Sequence, residues 1–409
     1  MNLTRMGRGG QHRRVMKERS RIIVVTALGV TQTLAWASSY YLPAILGAPI
    51  ARSLGVSTDA FFGIFSAALL LGAALSPWVG SLIDRHGGRA VLTVSSAVLA
   101  AGLACLGSAQ GFRSLTSAWL VLGIGMALGL YDPAFAALTR LYGSTARAPI
   151  TGITLIAGFA STIGWPVSAS LLHALGWREA CLIWAALNLC VGLPLNWLVI
   201  PAAPTPLVMS AARPIPVGPE PPRGAMPILA FYFAATAFVT GAMAAQLPRL
   251  LVSAGATQAV AIAAGALVGP AQVAARLVEF GLLRRFHPVS SARLATLLHP
   301  LGAGLLGLLG PAGVALFAIL HGAGNGMITI AKGTLPLAIF GPAGYGLRNG
   351  ILSVPARLSL SAAPFLFGLL LDRIGAASVL LSAGLSLSAL ASLLLLRPHP
   401  AAAAASAGN

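Results

Sequence analysis

The stretch Gly80-Ser-Leu-Ile-Asp84-Arg85-His-Gly87-Gly88-Arg89 is a charged turn set between two long apolar runs, in a chain with almost no other charge. Charged residues make up 8% of the 409, hydrophobic residues 57%, and the mean hydropathy is +0.86. A soluble domain of this size cannot hide so much apolar surface from water. The turn therefore reads as a connection between two membrane crossings.

Outward from it, apolar runs of about 20 residues, enough to cross a hydrocarbon core of roughly 30 Å, recur twelve times. They lie near 22–46, 60–83, 90–110, 114–138, 149–175, 177–200, 227–252, 258–283, 291–309, 311–335, 345–371 and 375–397. None alternates like a strand and all exceed a barrel strand, so each is expected to be a helix with its backbone polar groups bonded internally. The ninth is the shortest and contains Pro300.

Between 201 and 226 the chain turns proline-rich, with Pro201, Pro204, Pro206, Pro214, Pro216, Pro219, Pro221 and Pro222. Such a linker splits the crossings into six and six. The expected organisation is a basic tail over 1–20, a six-helix bundle over 21–200, the linker over 201–226, a second six-helix bundle over 227–397 and a disordered tail over 398–409. Residues 77–89 can be laid on 276–288, Arg85 meeting Arg284, as a duplicated unit requires. The fold class is an all-α polytopic membrane protein with two pseudo-symmetric bundles.

The net charge of +18 is distributed by side: of 26 Lys and Arg, 18 fall on the side shared by both termini, five on the other, and Arg276, Lys332 and Arg357 inside spans. This asymmetry puts both termini in the cytoplasm. It makes anionic lipid head groups, not nucleic acid, the partner of the basic tail. Ala35-Trp-Ala37 behind a basic start imitates a signal-peptide cleavage site, but eleven further spans favour an uncleaved first helix. The expected location is a bacterial inner (plasma) membrane and the expected state a monomer. Cys181 and Cys190 lie on one helix, about 13 Å apart, and Cys105 on another, so neither a disulfide framework nor a metal site is implied.

Gly80, Asp84, Arg85, Gly87 and Arg89 match a signature that the major facilitator superfamily carries between its second and third helices: Gly, three residues, Asp, Arg, any residue, Gly, then two basic residues. Gly88 departs from it. Gly176-Trp177-Arg178, opening the sixth helix, also recurs in that family, and the chain resembles it in layout over residues 20–397. The resemblance implies an alternating-access carrier whose two halves rock about a central site, with Gly80, Asp84, Arg85, Gly87, Arg89 and Arg140 as the cytoplasmic gate. Asp84, at a helix end, can meet either the N-terminal dipole of the eleventh helix or Arg140.

Cargo chemistry is read from ionisable residues inside the spans, each costing about 2.5 to 3.5 kcal/mol at a helix centre. Five qualify: Asp132, Arg276, Glu279, Lys332 and Arg357. Arg357 has no local partner and lies about 18 Å into its span. Arg276 either pairs with Glu279 one turn on or joins Arg357 in a positive cavity. A carboxylate suits such a cavity, because a guanidinium holds it with two parallel hydrogen bonds. Asp132, about six residues from its helix end, is either a proton site or a partner for Lys332. Glu279 is the second candidate proton carrier, and Lys332 is near enough to a helix end to snorkel.

A weaker similarity is to the monocarboxylate transporters, whose eighth helix carries an acid four residues before a substrate-binding arginine. Gln272-Val-Ala-Ala-Arg276 has that spacing, with Gln272 replacing the acid, which leaves the pair without its proton carrier. Trp36, Tyr40 and Tyr41, and residues 147–158, loosely resemble that family's signature regions. The aromatics either close over cargo or anchor at the membrane interface. Thr33, Gln246, His321 and Asn325 complete the candidate cavity residues, His321 being either a cavity group or a packed one. Gly322-Ala-Gly324-Asn-Gly326 has no strand before it and is read as a site of close helix packing or bending, not a dinucleotide loop.

The expectation is a secondary transporter for a small organic anion, a monocarboxylate in the first instance, with H+ as the candidate coupling ion. The alternatives are an efflux pump for drugs, arsenicals or oxyanions, a non-transporting sensor, and a membrane enzyme. Drug antiporters of the superfamily carry in the fifth helix a Gly-Pro pair that here is interrupted as Gly164-Trp-Pro166. With no nucleophile elbow, zinc-ligand motif or P-loop, no catalytic residue, metal or cofactor is expected.

Overall fold

The structure, a computed structural model, describes the backbone of residues 4–202 and 222–396 and the side chains from Arg21 onward, apart from Arg284. Most of the expected linker (203–221), the expected tail and the side chains of residues 1–20 lie outside the described residues.

Every regular element among the described residues is helical. The first half contains α1 (Thr4–Ser38), α2 (Pro43–Ser53), α3 (Thr58–His86), α4 (Gly88–Gly107), α5 (Phe112–Gly129), α6 (Tyr131–Tyr142), α7 (Arg147–Ala157), α8 (Ala160–Leu175), α9 (Trp177–Leu187) and α10 (Leu193–Val199). The second contains α11 (Ala225–Ser253), α12 (Gln258–Gly281), α13 (Pro288–Leu309), α14 (Val314–Phe340), α15 (Tyr345–Ile374) and α16 (Val379–Leu395). Nine continuous helical segments among the described residues are long and apolar enough to cross a membrane. Three of these, of 64, 53 and 51 residues, carry a short turn in mid-course, at Gly143–Ala146, Gly310–Gly313 and Gly375–Ser378.

Local chemistry explains the breaks. Pro133 has no N–H to give to the Gly129 carbonyl four residues back, and the chain leaves the helix at Leu130 (φ −78°, ψ −162°). The freed Gly129 oxygen accepts Gln32 Nε2–H at 2.6 Å instead. The expected fourth span is therefore two helices, and Asp132 lies in the first turn of the second, ten residues before its end and not six. The first span also breaks, after Ser38, and resumes at Pro43 as α2. Pro300, by contrast, is accommodated inside α13.

The halves reuse one device 200 residues apart. Ser57 accepts the Ala60 N–H at 3.2 Å to cap α3, and Thr257 accepts the Val260 N–H at 3.3 Å to cap α12. Each cap follows a glycine with positive φ, Gly55 at +65° and Gly255 at +95°. Arg178 folds over the Trp177 ring and donates to the Gly107 and Ala109 carbonyls at 3.0 and 2.7 Å. This ties the start of α9 to the end of α4.

The buried apolar residues form clusters within each half. One first-half cluster also takes in Leu337 and Tyr345 from the second. Trp78, Leu198, Leu308, Phe365 and Leu380 stand exposed outside, as a surface facing hydrocarbon requires. The halves meet through α3 on α15, α6 on α15, and α7 on α12 and α14.

Candidate functional site

The gate turn is built against the start of α15. Both Asp84 carboxylate oxygens accept backbone N–H groups, from Gly346 and Leu347, at 2.9 Å each. An anion at a helix start meets unpaired N–H donors and the positive end of the helix dipole. Of the two expected partners for Asp84 this is the one made, since no ion pair joins it to Arg140 among the described residues.

The approach depends on missing side chains. A Cβ on Gly80 would overlap the Gly346 carbonyl, one on Gly346 the Gly80 carbonyl, and one on Gly350 would come within 2.7 Å of Pro77. Gly87 (φ +84°) turns α3 into α4. Gly88, where the resemblance expects a basic residue, rests on Ala137, which a side chain would overlap. Arg89 lies over the Trp197 ring, 4.3 Å from its centroid, and Arg85 is exposed.

Deeper in, two ion pairs cross between the halves. Arg357 donates to Asp132 Oδ2 at 2.9 Å, and Ser353 Oγ donates to the same oxygen at 2.9 Å. Asn349 Nδ2 reaches Oδ1 at 3.5 Å. Arg147 meets Glu279 at 3.0 Å and also donates to the Phe286 and Leu283 carbonyls beyond α12, at 2.5 and 3.3 Å.

These contacts revise three expectations. Arg357 is partnered, by a carboxylate from the other half. Asp132 takes Arg357, and Lys332, though within electrostatic range of both, makes no ion pair within 4.0 Å among the described residues. Glu279 pairs with Arg147, so the one-turn pairing with Arg276 does not form.

Arg276 is left as a buried guanidinium, 5% exposed, with no carboxylate of the described residues within 4.0 Å. Its hydrogen bonds are long ones to main-chain oxygens of both halves, Gly326 at 3.4 Å and Thr154 at 3.5 Å. It lies within electrostatic range of Tyr41 and Tyr131. Trp36 gathers the aromatics there, with ring centroids 4.9 Å from Tyr131, 5.2 Å from Tyr40 and 5.8 Å from Tyr41. Its buried Nε1–H has no partner. Phe65 and Trp165 extend the cluster at 5.9 Å from Tyr40 and 6.1 Å from Tyr41.

The other expected cavity residues divide. Gln246 is held by the Pro364 carbonyl and Arg249. Asn325 accepts from Thr240 at 2.8 Å, Thr33 bonds back to Gly29, and His321 faces His299. The glycine run of α14 packs closely, a Cβ on Gly326 falling 2.5 Å from the Gln272 carbonyl and one on Gly322 2.6 Å from that of Val268. Sequence reasoning missed Tyr131, Phe65, Trp165, His299, Asn349 and Ser353. The last two carried a signal, being eight and four residues before Arg357 and hence on its helix face.

The hydrogen bonds between halves among the described residues all fall from the Asp84 end to the level of Arg357 and Arg276. Beyond that level the bonds stay within a half, as in Trp165 to Tyr41 and Arg249 to Asp372. The Major Facilitator Superfamily model matches residues 28–318. The chain belongs to that superfamily.

No curated protein matches this superfamily member. Solved structures do. It is similar to the human organic anion transporter MFSD10 (TETRAN), at TM-score 0.69 and 18% identity, over 91% of this chain and 99% of that one. It is similar to the E. coli fucose:proton symporter FucP, at 0.69 and 16%, over 93% and 100%. It is also similar to a bacterial homologue of the iron transporter ferroportin in an outward-facing state, at 0.70 and 16%, over 91% and 98%. At such identities the likeness establishes the fold. Family and fold make this superfamily member a multi-pass membrane transporter of small molecules, not an enzyme.

Proposed function

We propose that the chain is a twelve-crossing secondary carrier of a small organic anion, a monocarboxylate in the first instance, working by alternating access with H+ as coupling ion. The observation that carries this reading is Arg276, a buried cation with no acidic partner among the described residues, held by main-chain oxygens from both halves. An unpaired charge inside a membrane protein is costly and marks a substrate or ion path. An anion that completes the pairing touches both halves at once, which is what coupling cargo to rocking requires.

The local balance agrees. Around the centre, Arg147, Arg276, Lys332 and Arg357 face only Asp132 and Glu279, and both carboxylates are already paired. That leaves Arg276 and Lys332 for cargo, with Arg357 as part of the closure. The organic anion named for the human relative is compatible with this polarity. Among the described residues at the centre, a cationic drug would find no free carboxylate. We assign the Asp84 end to the cytoplasm of a bacterial inner membrane on the distribution of Lys and Arg. The closed end is then cytoplasmic and the conformation outward-facing. Asp132 is the proposed proton carrier, because protonating it removes the charge that holds Arg357.

The test is thermal stabilisation of the purified full chain by pyruvate, benzoate, arsenate and tetraphenylphosphonium, with Arg276→Gln alongside. The expected result is stabilisation by a carboxylate, lost in Arg276→Gln while the unliganded melting temperature holds. Stabilisation by tetraphenylphosphonium, indifferent to Arg276, would overturn the reading.

A further inference from the structure

His299 of α13 and His321 of α14 face each other inside the second half, Nδ1 to Nδ1 at 3.0 Å. Two imidazole nitrogens at that distance need one N–H and one lone pair between them. Ser382 permits one arrangement that satisfies both rings: with its hydroxyl proton on the Val379 carbonyl at 2.9 Å, Ser382 Oγ is the acceptor toward His299 Nε2, at 3.0 Å. His299 then carries its proton on Nε2 and offers the Nδ1 lone pair. In that arrangement His321 carries its proton on Nδ1, and the His321 Nε2 lone pair has no hydrogen-bond partner among the described residues.

Both histidines are buried and line a small cleft with Thr236, Thr240, Thr296 and Asn325. The ring of Phe317 lies stacked on His321, centroids 6.2 Å apart at 22°, and tilted against His299 at 5.4 Å. A cationic imidazole is stabilised by an aromatic face. We propose that His321 is a proton-binding site of this carrier, separate from the carboxylates, with His299 and Ser382 as the positioning residues that fix its tautomer. The proton adds to His321 Nε2. The resulting imidazolium keeps its Nδ1–H on the His299 lone pair, and His299 keeps its Nε2–H on Ser382, so no other bond is broken.

Among the described residues, no charge on the neighbouring elements is directed at the pair. On α11 the only titratable group nearby is Tyr232, whose hydroxyl bonds Thr296 at 3.1 Å. On α13, Arg293 is held by the Leu393 and Leu396 carbonyls. On α12, Glu279 is taken by Arg147 of α7, and Arg276 is bonded to Gly326 and Thr154. Asp132 of α6 and Arg357 of α15 hold each other. Lys332 lies eleven residues along α14, about 16 Å away by helical rise. The residues of α16 include no titratable group. Protonation of His321 therefore depends on what enters the cleft, and it does not depend on the cargo being an anion.

The experiment is solid-state NMR of the full chain in lipid with 15N-labelled histidine, titrated from about pH 8.5 to about pH 5, His321→Gln and His299→Gln serving to assign the signals. The expected result is an Nε2–H tautomer for His299 and an Nδ1–H tautomer for His321 at high pH. On acidification, His321 Nε2 moves from the bare-nitrogen range into the N–H range while His299 keeps its tautomer. Ser382→Ala is expected to let the His299 tautomer redistribute. Two histidines that stay neutral while the protein remains folded, or a first proton on His299, would overturn the proposal, whatever anion binding shows.

Discussion

Asp132 and Arg357, 225 positions apart in sequence, meet at 2.9 Å across the two halves of the molecule. Their side chains are 22% and 19% exposed, so the pair is screened less than a surface bridge and more than a dry one. Asp132→Asn leaves Arg357 uncompensated. The expected cost to the closed arrangement is about 2 kcal/mol, a ~30-fold shift toward opening at the Asp84 end. Spin-label distances across that end, in Asp132→Asn and in the exchange Asp132→Arg with Arg357→Asp, provide the check. The exchange should recover part of the closed population.

Asp84 acts on α15 through charge at a helix start. Asp84→Asn is expected to weaken closure by about 1 kcal/mol, roughly fivefold in population. Arg140→Gln, which removes no bond to Asp84, should leave the same distances in place. Equal effects from the two would refute the helix-start account.

Gly80→Ala sets a methyl group against the Gly346 backbone. Main chain cannot rotate away as a side-chain tip can, so the halves must part. The expected outcome is a population open at the Asp84 end with each half still folded, read by cysteine labelling at Ser76→Cys or Ser353→Cys. Labelling no faster than in the parent would refute it.

His287, between α12 and α13, accepts the Val289 N–H at 3.3 Å and caps α13. Burial, then the nearby Arg147 and Arg293, hold it below the ordinary 6.5. The neutral cap is intact above that ordinary value and is lost as pH falls through the lowered one, because the unfolded chain binds the proton more readily. Thermal stability should fall on acidification through this window. His287→Asn, which accepts without titrating, should flatten the fall, and an unchanged slope would refute the assignment.

The sequence carried the helices well, because long apolar runs in a chain this poor in charge have one physical outcome. It carried the turn at Asp84 and named Arg276 among five charges inside the spans, but it marked Arg357, not Arg276, as the one without a local partner. It did not carry the pairing. Asp132 with Arg357 and Glu279 with Arg147 join helices from different halves, and no local periodicity reports a neighbour 225 or 132 residues away. It also left Tyr131 unremarked, since the break at Leu130 that turns it toward Trp36 depends on a carbonyl given up to Gln32.

The glycine seam between α3 and α15 has a thermodynamic corollary. Where Gly80 lies on Gly346 and Gly350 on Ser76, parting the halves wets peptide groups and exposes little hydrocarbon. Apolar hydration raises heat capacity and polar hydration lowers it, so with little hydrocarbon exposed the change at this seam is small and set by the wetted peptide groups. The ratio of the two access states should follow a nearly straight van't Hoff line, one that tilts with water activity more than it bends with temperature.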